Sequence, residues 1–494
     1  MLFGAPKAIN FFWMGVKLRL STMQTVNSKS EKFIRMTTVP VEKLILNLAI
    51  PSIAIMLVSA LYNMADTYFV GSLGTSAVAG VGIAFPLMAI IQAMGFSFGQ
   101  GSGNYMARAL GAQDTEGASR MAATGFVTSF IFMAALAAGG LIFLQPLVDG
   151  LGATPTIRPH AMEYIFYILL ASPWMVVATV LNQQLRFQGS ASIALWGMIS
   201  GAILNIFLDP LFIFVFRMGV KGAAAATMLS QIVSFVILLA YGTTRKENIP
   251  MNLRHFSPSR ARYMEMIRGG VPALFRQGLM SVANIIINHF AGVHGDAAIA
   301  AISIVNRICM FANSVMLGFG QGFQPVCGFN YGAKLYSRVK KGFWFCVRFC
   351  SAGLFLIAIA LAIFAPHIIA LFRKDDLEVI SIGARGLRIN CISLPFAAGV
   401  IMCNMMTQTM GKAVEASVIA TSRQGLLLIP SLFILTPFLG LLGIQLCTPI
   451  SDLGSLLIVI PIMVRVFREI SVPDAKISGA EAIEAAIQEN VDID

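Results

Sequence analysis

Charged side chains are scarce in this chain: 12% of its 494 residues are Asp, Glu, Lys or Arg. An ordinary soluble domain carries about 25%. So few charges cannot give a wetted surface to a chain that is 57% apolar, and much of it must face hydrocarbon. That overrides the roughly three soluble domains that length alone suggests. Cysteine is missing before Cys309, and the seven that follow show no CxxC or zinc spacing. They read as free buried thiols. Five scattered histidines give no reason to expect a metal site. No nucleophile–base constellation appears, so an enzyme is not expected. The net charge of +12 comes with no nucleic-acid signature, and no nucleic-acid partner is expected.

What the chain does have is long apolar runs. About 20 residues cross the hydrocarbon core. Twelve runs meet that length, near 44–68, 77–102, 121–147, 160–184, 191–216, 220–242, 266–290, 298–323, 339–366, 379–407, 414–437 and 441–465. The fold expected is all-α and integral to the membrane. Lys and Arg set its orientation. Twenty-four fall in the two tails and alternate loops, with Arg108, Arg120, Arg186 and Lys412 counted as loop residues; the opposite loops hold five. Both termini are therefore expected in the cytoplasm. The apolar stretch 8–16 is too short to span and lacks a cleavage site, so it reads as a membrane-surface segment; a start at Met23 is the equal alternative. The acidic tail beyond Pro473 reads as helical or disordered.

The chain repeats itself. Under a shift of 221 residues, Pro51 falls on Pro272, Asn63 on Asn284, Gly71 on Gly292, Gly99-Gln100-Gly101 on Gly320-Gln321-Gly322 and Gly111-Ala112 on Gly332-Ala333. One inserted residue later, Asn182 meets Asn404 and Gly189 meets Gly411. The shift returns to 221 for Gly219 on Gly440 and Ser230 on Ser451. Each half holds six spans, an even number, so the repeat is parallel and its axis lies along the membrane normal. The expected division is a tail over 1–40, a first lobe over 41–243, a basic linker over 244–265, a second lobe over 266–468 and an acidic tail over 469–494. Such halves suit a secondary transporter that alternates access. The paired Gly-Gln-Gly triplets read as close helix packing at a span end.

Ionisable residues inside spans are costly and usually functional. Asp66 lies late in the first span, Asp209 late in the fifth and Asp452 in the middle of the twelfth; Glu163 and Glu415 sit at span edges. Asn205 and Asp209 share a helix face by i, i+4 spacing. Pro210 removes a backbone donor beside them. Thr227 in the sixth span falls at similar depth. Two carboxylates in one apolar bundle repel and lose solvation, and their titration would be coupled. A site taking H⁺ or Na⁺ at Asp66 and Asp209 is the functional reading; the alternative is that each Asp ties helices through a fixed partner. Asp66 falls on Ile287 in the second half, and Asp209 on Pro430 or Ser431. Coupling is therefore expected in the first half. Asp452 is open between a second-half site and a structural contact. Arg276 and Arg307 are expected to pair structurally rather than line a cavity.

The stretches NMADTYFVG (63–71), NIFLDPLFI (205–213) and GFGQGFQPVCGFNYGA (318–333) resemble the multidrug and toxic compound extrusion (MATE) family, most of all its MepA-like bacterial branch. The resemblance runs from about Glu31 to Arg468. It implies a V-shaped pair of six-helix lobes in a bacterial cytoplasmic membrane. It also implies a monomer that exports amphipathic, often cationic compounds in exchange for H⁺ or Na⁺, with no other cofactor. The family's coupling residues match Asp66, Asn205, Asp209 and Thr227, with Asn182 a weaker match; Asn63, Asn182, Asn284, Arg276 and Asp452 are candidates for secondary polar or substrate contacts. The seventh and tenth spans hold no acid, which makes H⁺ the more expected ion. A flippase for lipid-linked or polysaccharide precursors in the same superfamily is the alternative. It would bring extra helices or a strongly cationic cavity.

Overall fold

A computed structural model of the chain describes residues 31–71, 73, 75–244, 248–249, 253–373 and 376–474, with backbone alone at 60, 62–68, 75 and 76. The surface segment expected at 8–16, the start at Met23 and most of the acidic tail lie outside the described residues. Twelve helices are long and apolar enough to cross a membrane. They are α1 (Val41–Gly71), α2 (Thr75–Gly111), α3 (Thr115–Ile142), α4 (Arg158–Phe187), α5 (Ala191–Val215) and α6 (Val220–Thr244), then α7 (Arg260–Gly292), α8 (Asp296–Gly332), α9 (Tyr336–Ile363), α10 (Leu377–Thr409), α11 (Ala413–Leu439) and α12 (Leu441–Glu469). Short helices follow α3 and α9 at Leu144–Gly150 and Ala365–Phe372.

The twelve runs read from sequence all become spans, but α2 and α8 continue nine residues past their expected ends at 102 and 323. The Gly-Gln-Gly triplets are thus inside helices, not at their ends. A hydropathy reading stops there because Gln100, Ser102 and Asn104 are polar, yet all three are fully buried against protein. Arg108, Arg120 and Arg186, counted above as loop residues, also belong to helices. Arg108 lies in the last turn of α2, donating to Thr409 O at 2.8 Å and pairing with Glu265 at 2.9 Å. Arg186 is at the end of α4 and 1% exposed.

The two halves meet chiefly through four helices, α1 packing on α8 and α7 on α2, with α2 crossing α8. Close approach is possible because side chains are missing where backbones touch. A Cβ on Gly101 would lie 2.2 Å from the carbonyl oxygen of Met266 in α7. Its repeat mate Gly322 would meet Ala49 Cα of α1 at 2.5 Å. The α2–α8 crossing makes one contact twice. A Cβ on Gly111 would strike Phe329 O at 2.1 Å, and one on Gly332 would strike Arg108 O at 2.0 Å. Residues 108 and 329 are themselves one repeat apart, so a two-fold axis runs through this crossing.

A helix over 31–38 lies across both halves at the same end. Lys32 Nζ donates to Ser190 Oγ and Asn248 Oδ1 at 2.8 and 2.9 Å on the first-half side. On the other side Asn330 donates to Met36 O at 3.1 Å and Arg338 to Val39 O at 2.6 Å. Contacts between the halves gather at this end, which carries the termini and the linker.

Gly111→Val and Gly332→Val should each lower the melting temperature of the purified protein, since overpacking costs about 1–3 kcal/mol. Gly139→Val, where nothing lies within 4 Å of an added Cβ, should leave it nearly unchanged in the same thermal scan.

Candidate functional site

In the first half, α5 and α6 are packed tightly. A Cβ on Gly197 would lie 2.3 Å from Leu238, and one on Gly201 would lie 2.9 Å from Ser234. Ser234 Oγ donates to Gly197 O at 2.9 Å. This closeness brings the polar face of α5 against α6. Asn205 Nδ2 donates to Asp209 Oδ1 at 3.3 Å and to Thr227 Oγ1 at 3.4 Å. Asn205 and Asp209 are fully buried, and Thr227 is 1% exposed. The i, i+4 spacing read from sequence is therefore realised as a hydrogen bond. After Pro210, α5 runs on as a π-helical turn, Leu211–Val215. Such turns relieve the lost donor of a proline and re-aim the residues beside it. Asp66 and Asn63 lie on α1, which packs against α5; their side chains are outside the described residues.

Other expected contacts fall elsewhere. Asn182 Nδ2 donates to Ala194 O at 2.9 Å, tying α4 to α5. Its repeat mate Asn404 donates to Ala416 O at 2.7 Å, tying α10 to α11. The same side chain thus does the same job in each half. Asn284 is exposed. The pairing with acids expected of Arg276 and Arg307 is not found among the described residues. Arg276 reaches Asn404 Oδ1 at 3.3 Å, and Arg307 is exposed. Glu163, at the edge of α4, pairs with Lys221 at 3.0 Å.

Asp452 is 2% exposed, ion-paired with Arg423 and accepting from Ser393 Oγ at 2.8 Å. Arg423 is a residue the sequence reading passed over. It stands inside the run at 414–437, in a π-helical stretch of α11, Ser422–Leu428. A tally of arginines within runs would have found it. Nearby, Ile287, Asn306, Asn390, Gln445 and Thr448 line a small cavity. Ile287 and Thr448 are the repeat mates of Asp66 and Thr227, and the lining of this second-half cavity is neutral.

Arg186 stands at the closed junction of the halves. It donates to Gln321 Oε1 of α8 and to Gln183 Oε1, the latter at 2.8 Å. Amide oxygens are its hydrogen-bond acceptors; no carboxylate lies within ion-pair distance among the described residues. Among those residues, no three His, Cys, Asp or Glu side chains gather as a metal-binding group.

Two bundles of six spans, joined by glycine contacts at one end and differing in buried charge, define a membrane transporter. The family model MatE matches the chain twice, over residues 51–211 and 272–434. The chain belongs to this MATE family of transporters, and the two matches begin 221 residues apart, the period of the repeat. The chain is 27% identical to the multidrug export protein MepA of Staphylococcus haemolyticus (strain JCSC1435) over 403 residues, 81% of this chain and 88% of that protein. It is 27% identical to MepA of Staphylococcus aureus (strain MSSA476) over 425 residues, 84% and 92% of the two. Its fold is similar to that of a MATE crystallised in complex with MaL6, with a TM-score of 0.84 and 26% identity over 88% of this chain and 98% of that one. An outward-facing multidrug resistance MATE family transporter of the MOP superfamily gives a TM-score of 0.83, with 26% identity over 88% and 98%.

Asp452→Asn should destabilise the protein by about 3–5 kcal/mol, because it leaves Arg423 buried without its anion. The double variant Asp452→Leu/Arg423→Met should recover most of that loss in thermal unfolding.

Proposed function

We propose that the protein is a multidrug efflux antiporter, exchanging amphipathic, often cationic compounds for H⁺ or Na⁺ by alternating access. The observation that carries this reading is the buried Asn205–Asp209–Thr227 cluster in one half, set against the neutral cavity at the equivalent place in the other. A carboxylate this far from water is stable only when hydrogen-bonded, paired or protonated. Ion entry therefore changes its charge and the packing around it.

The lobes are taken as residues 41–243 and 266–468, joined by the basic segment 244–265, whose last six residues already belong to α7. The Lys and Arg excess supports placing the closed end, with both termini, in the cytoplasm. Contacts between the halves cluster at that end, and the similarity to an outward-facing relative supports a cleft open to the outside. H⁺ or Na⁺ reaching Asp66 and Asp209 from outside neutralises them. Repacking of α1, α5 and α6 then weakens substrate binding. In the second lobe Asp452 is ion-paired with Arg423 and accepts from Ser393. The names of the MepA relatives support drug export as the task. The flippase alternative expects a strongly cationic cavity, and the neutral lining around Thr448 does not favour it.

In proteoliposomes under an imposed pH or Na⁺ gradient, the wild type should concentrate a cationic dye against its gradient. Asp66→Asn and Asp209→Asn should fall to the level of empty liposomes. Full uphill transport by both variants would remove the coupling assignment. Which gradient drives the wild type identifies the ion.

A further inference from the structure

Two arginines in α10 have no part in the site above. Arg385 and Arg388 are both exposed, although they lie within a spanning helix. No carboxylate is within 4 Å of either among the described residues. Arg388 Nε donates to Ala362 O at the end of α9 at 3.1 Å, which holds the guanidinium in place while the side chain stays exposed.

The two line a groove between α10 and the short helix after α9, together with Pro366, Ile380, Ala384 and Ile389. The groove lies on the protein's perimeter. Its neighbours on α9 and the short helix turn large apolar side chains outward, among them Leu356 at 68%, Ile363 at 63% and Leu371 at 75% exposure. Along the same stripe of α10, one and two turns beyond Arg388, come Ile392 at 62% and Phe396 at 45% exposure. The stripe thus passes from Ser381 through two cations to exposed hydrocarbon.

Depth fits the same pattern. The 33 residues of α10 extend about 50 Å, about 20 Å more than the hydrocarbon core. With the helix centred, the arginines lie several ångströms below the headgroup boundary, within reach of it by extending outward. Paired guanidinium forks match a phosphate, and an apolar strip below them matches an acyl chain.

We propose that Arg385 and Arg388 form a binding site for the phosphate headgroup of an anionic phospholipid, in the leaflet at the end opposite the termini, with one acyl chain along Ile392 and Phe396. This depends on the chain being embedded in a membrane and not on the ion that drives it.

The test compares thermal unfolding of the full-length protein in nanodiscs of phosphatidylglycerol and of phosphatidylcholine. Wild type should melt higher in phosphatidylglycerol, by on the order of 5 °C. Arg385→Gln/Arg388→Gln should lose the difference, and Arg385→Lys/Arg388→Lys should keep most of it. If the glutamine pair does not fold, Arg385→Gln alone carries the comparison, because it leaves the Arg388–Ala362 bond intact. Equal melting of wild type in the two lipids would overturn the site, as would a preference that survives in the glutamine variant. Equal protection by millimolar inorganic phosphate in phosphatidylcholine would replace the lipid with a free anion and overturn it too.

Discussion

An ionised group removed from water must be paired, hydrogen-bonded or allowed to reach the surface, because the bilayer core offers it nothing. The charges of this protein sort themselves among those outcomes. Asp452 is paired with Arg423 and bonded to Ser393. Arg186 is solvated by glutamine amides at the junction of the halves. Asp209 is held by Asn205 beside Thr227. Asp452 thus meets a cation, as its depth requires.

Much of this is legible in the sequence. Twelve spans, the parallel repeat and the i, i+4 relation of Asn205 to Asp209 follow from run length, self-comparison and helical periodicity. What escapes has a common cause. Hydropathy measures a residue against lipid or water, and cannot recognise a polar side chain whose neighbour is protein. That is why it ends α2 early, at buried Gln100 and Asn104, and α8 likewise. It also places Arg186 in a loop, and passes over Arg423 among its apolar neighbours. The π-helical turns in α5 and α11 leave no clear mark in composition. Pro210 hints at the first, and Pro430, two residues past the second, hints at that one.

The repeat explains both what is shared and what differs. Shared features hold helices together: Asn182 and Asn404 each bridge to the carbonyl of an alanine in the next helix, and Gly101 and Gly322 each admit a helix from the opposite half. Features that differ carry charge. Asp66 has Ile287 as its counterpart, and Asp452 has the neutral Gln231. Scaffold positions are bound by geometry in both copies, whereas these acids each stand in only one.

The doubled contact at Gly111 and Gly332 has a meaning for origins. A surface that meets its own copy around a two-fold axis is isologous, the commonest way that identical subunits associate. Because both halves thread the bilayer in the same direction, a free-standing six-helix ancestor could have made this crossing with a second molecule of itself. Fusion of two such genes would then have converted a homodimer seam into an internal one. Each descendant half was thereby freed to diverge without losing its mate.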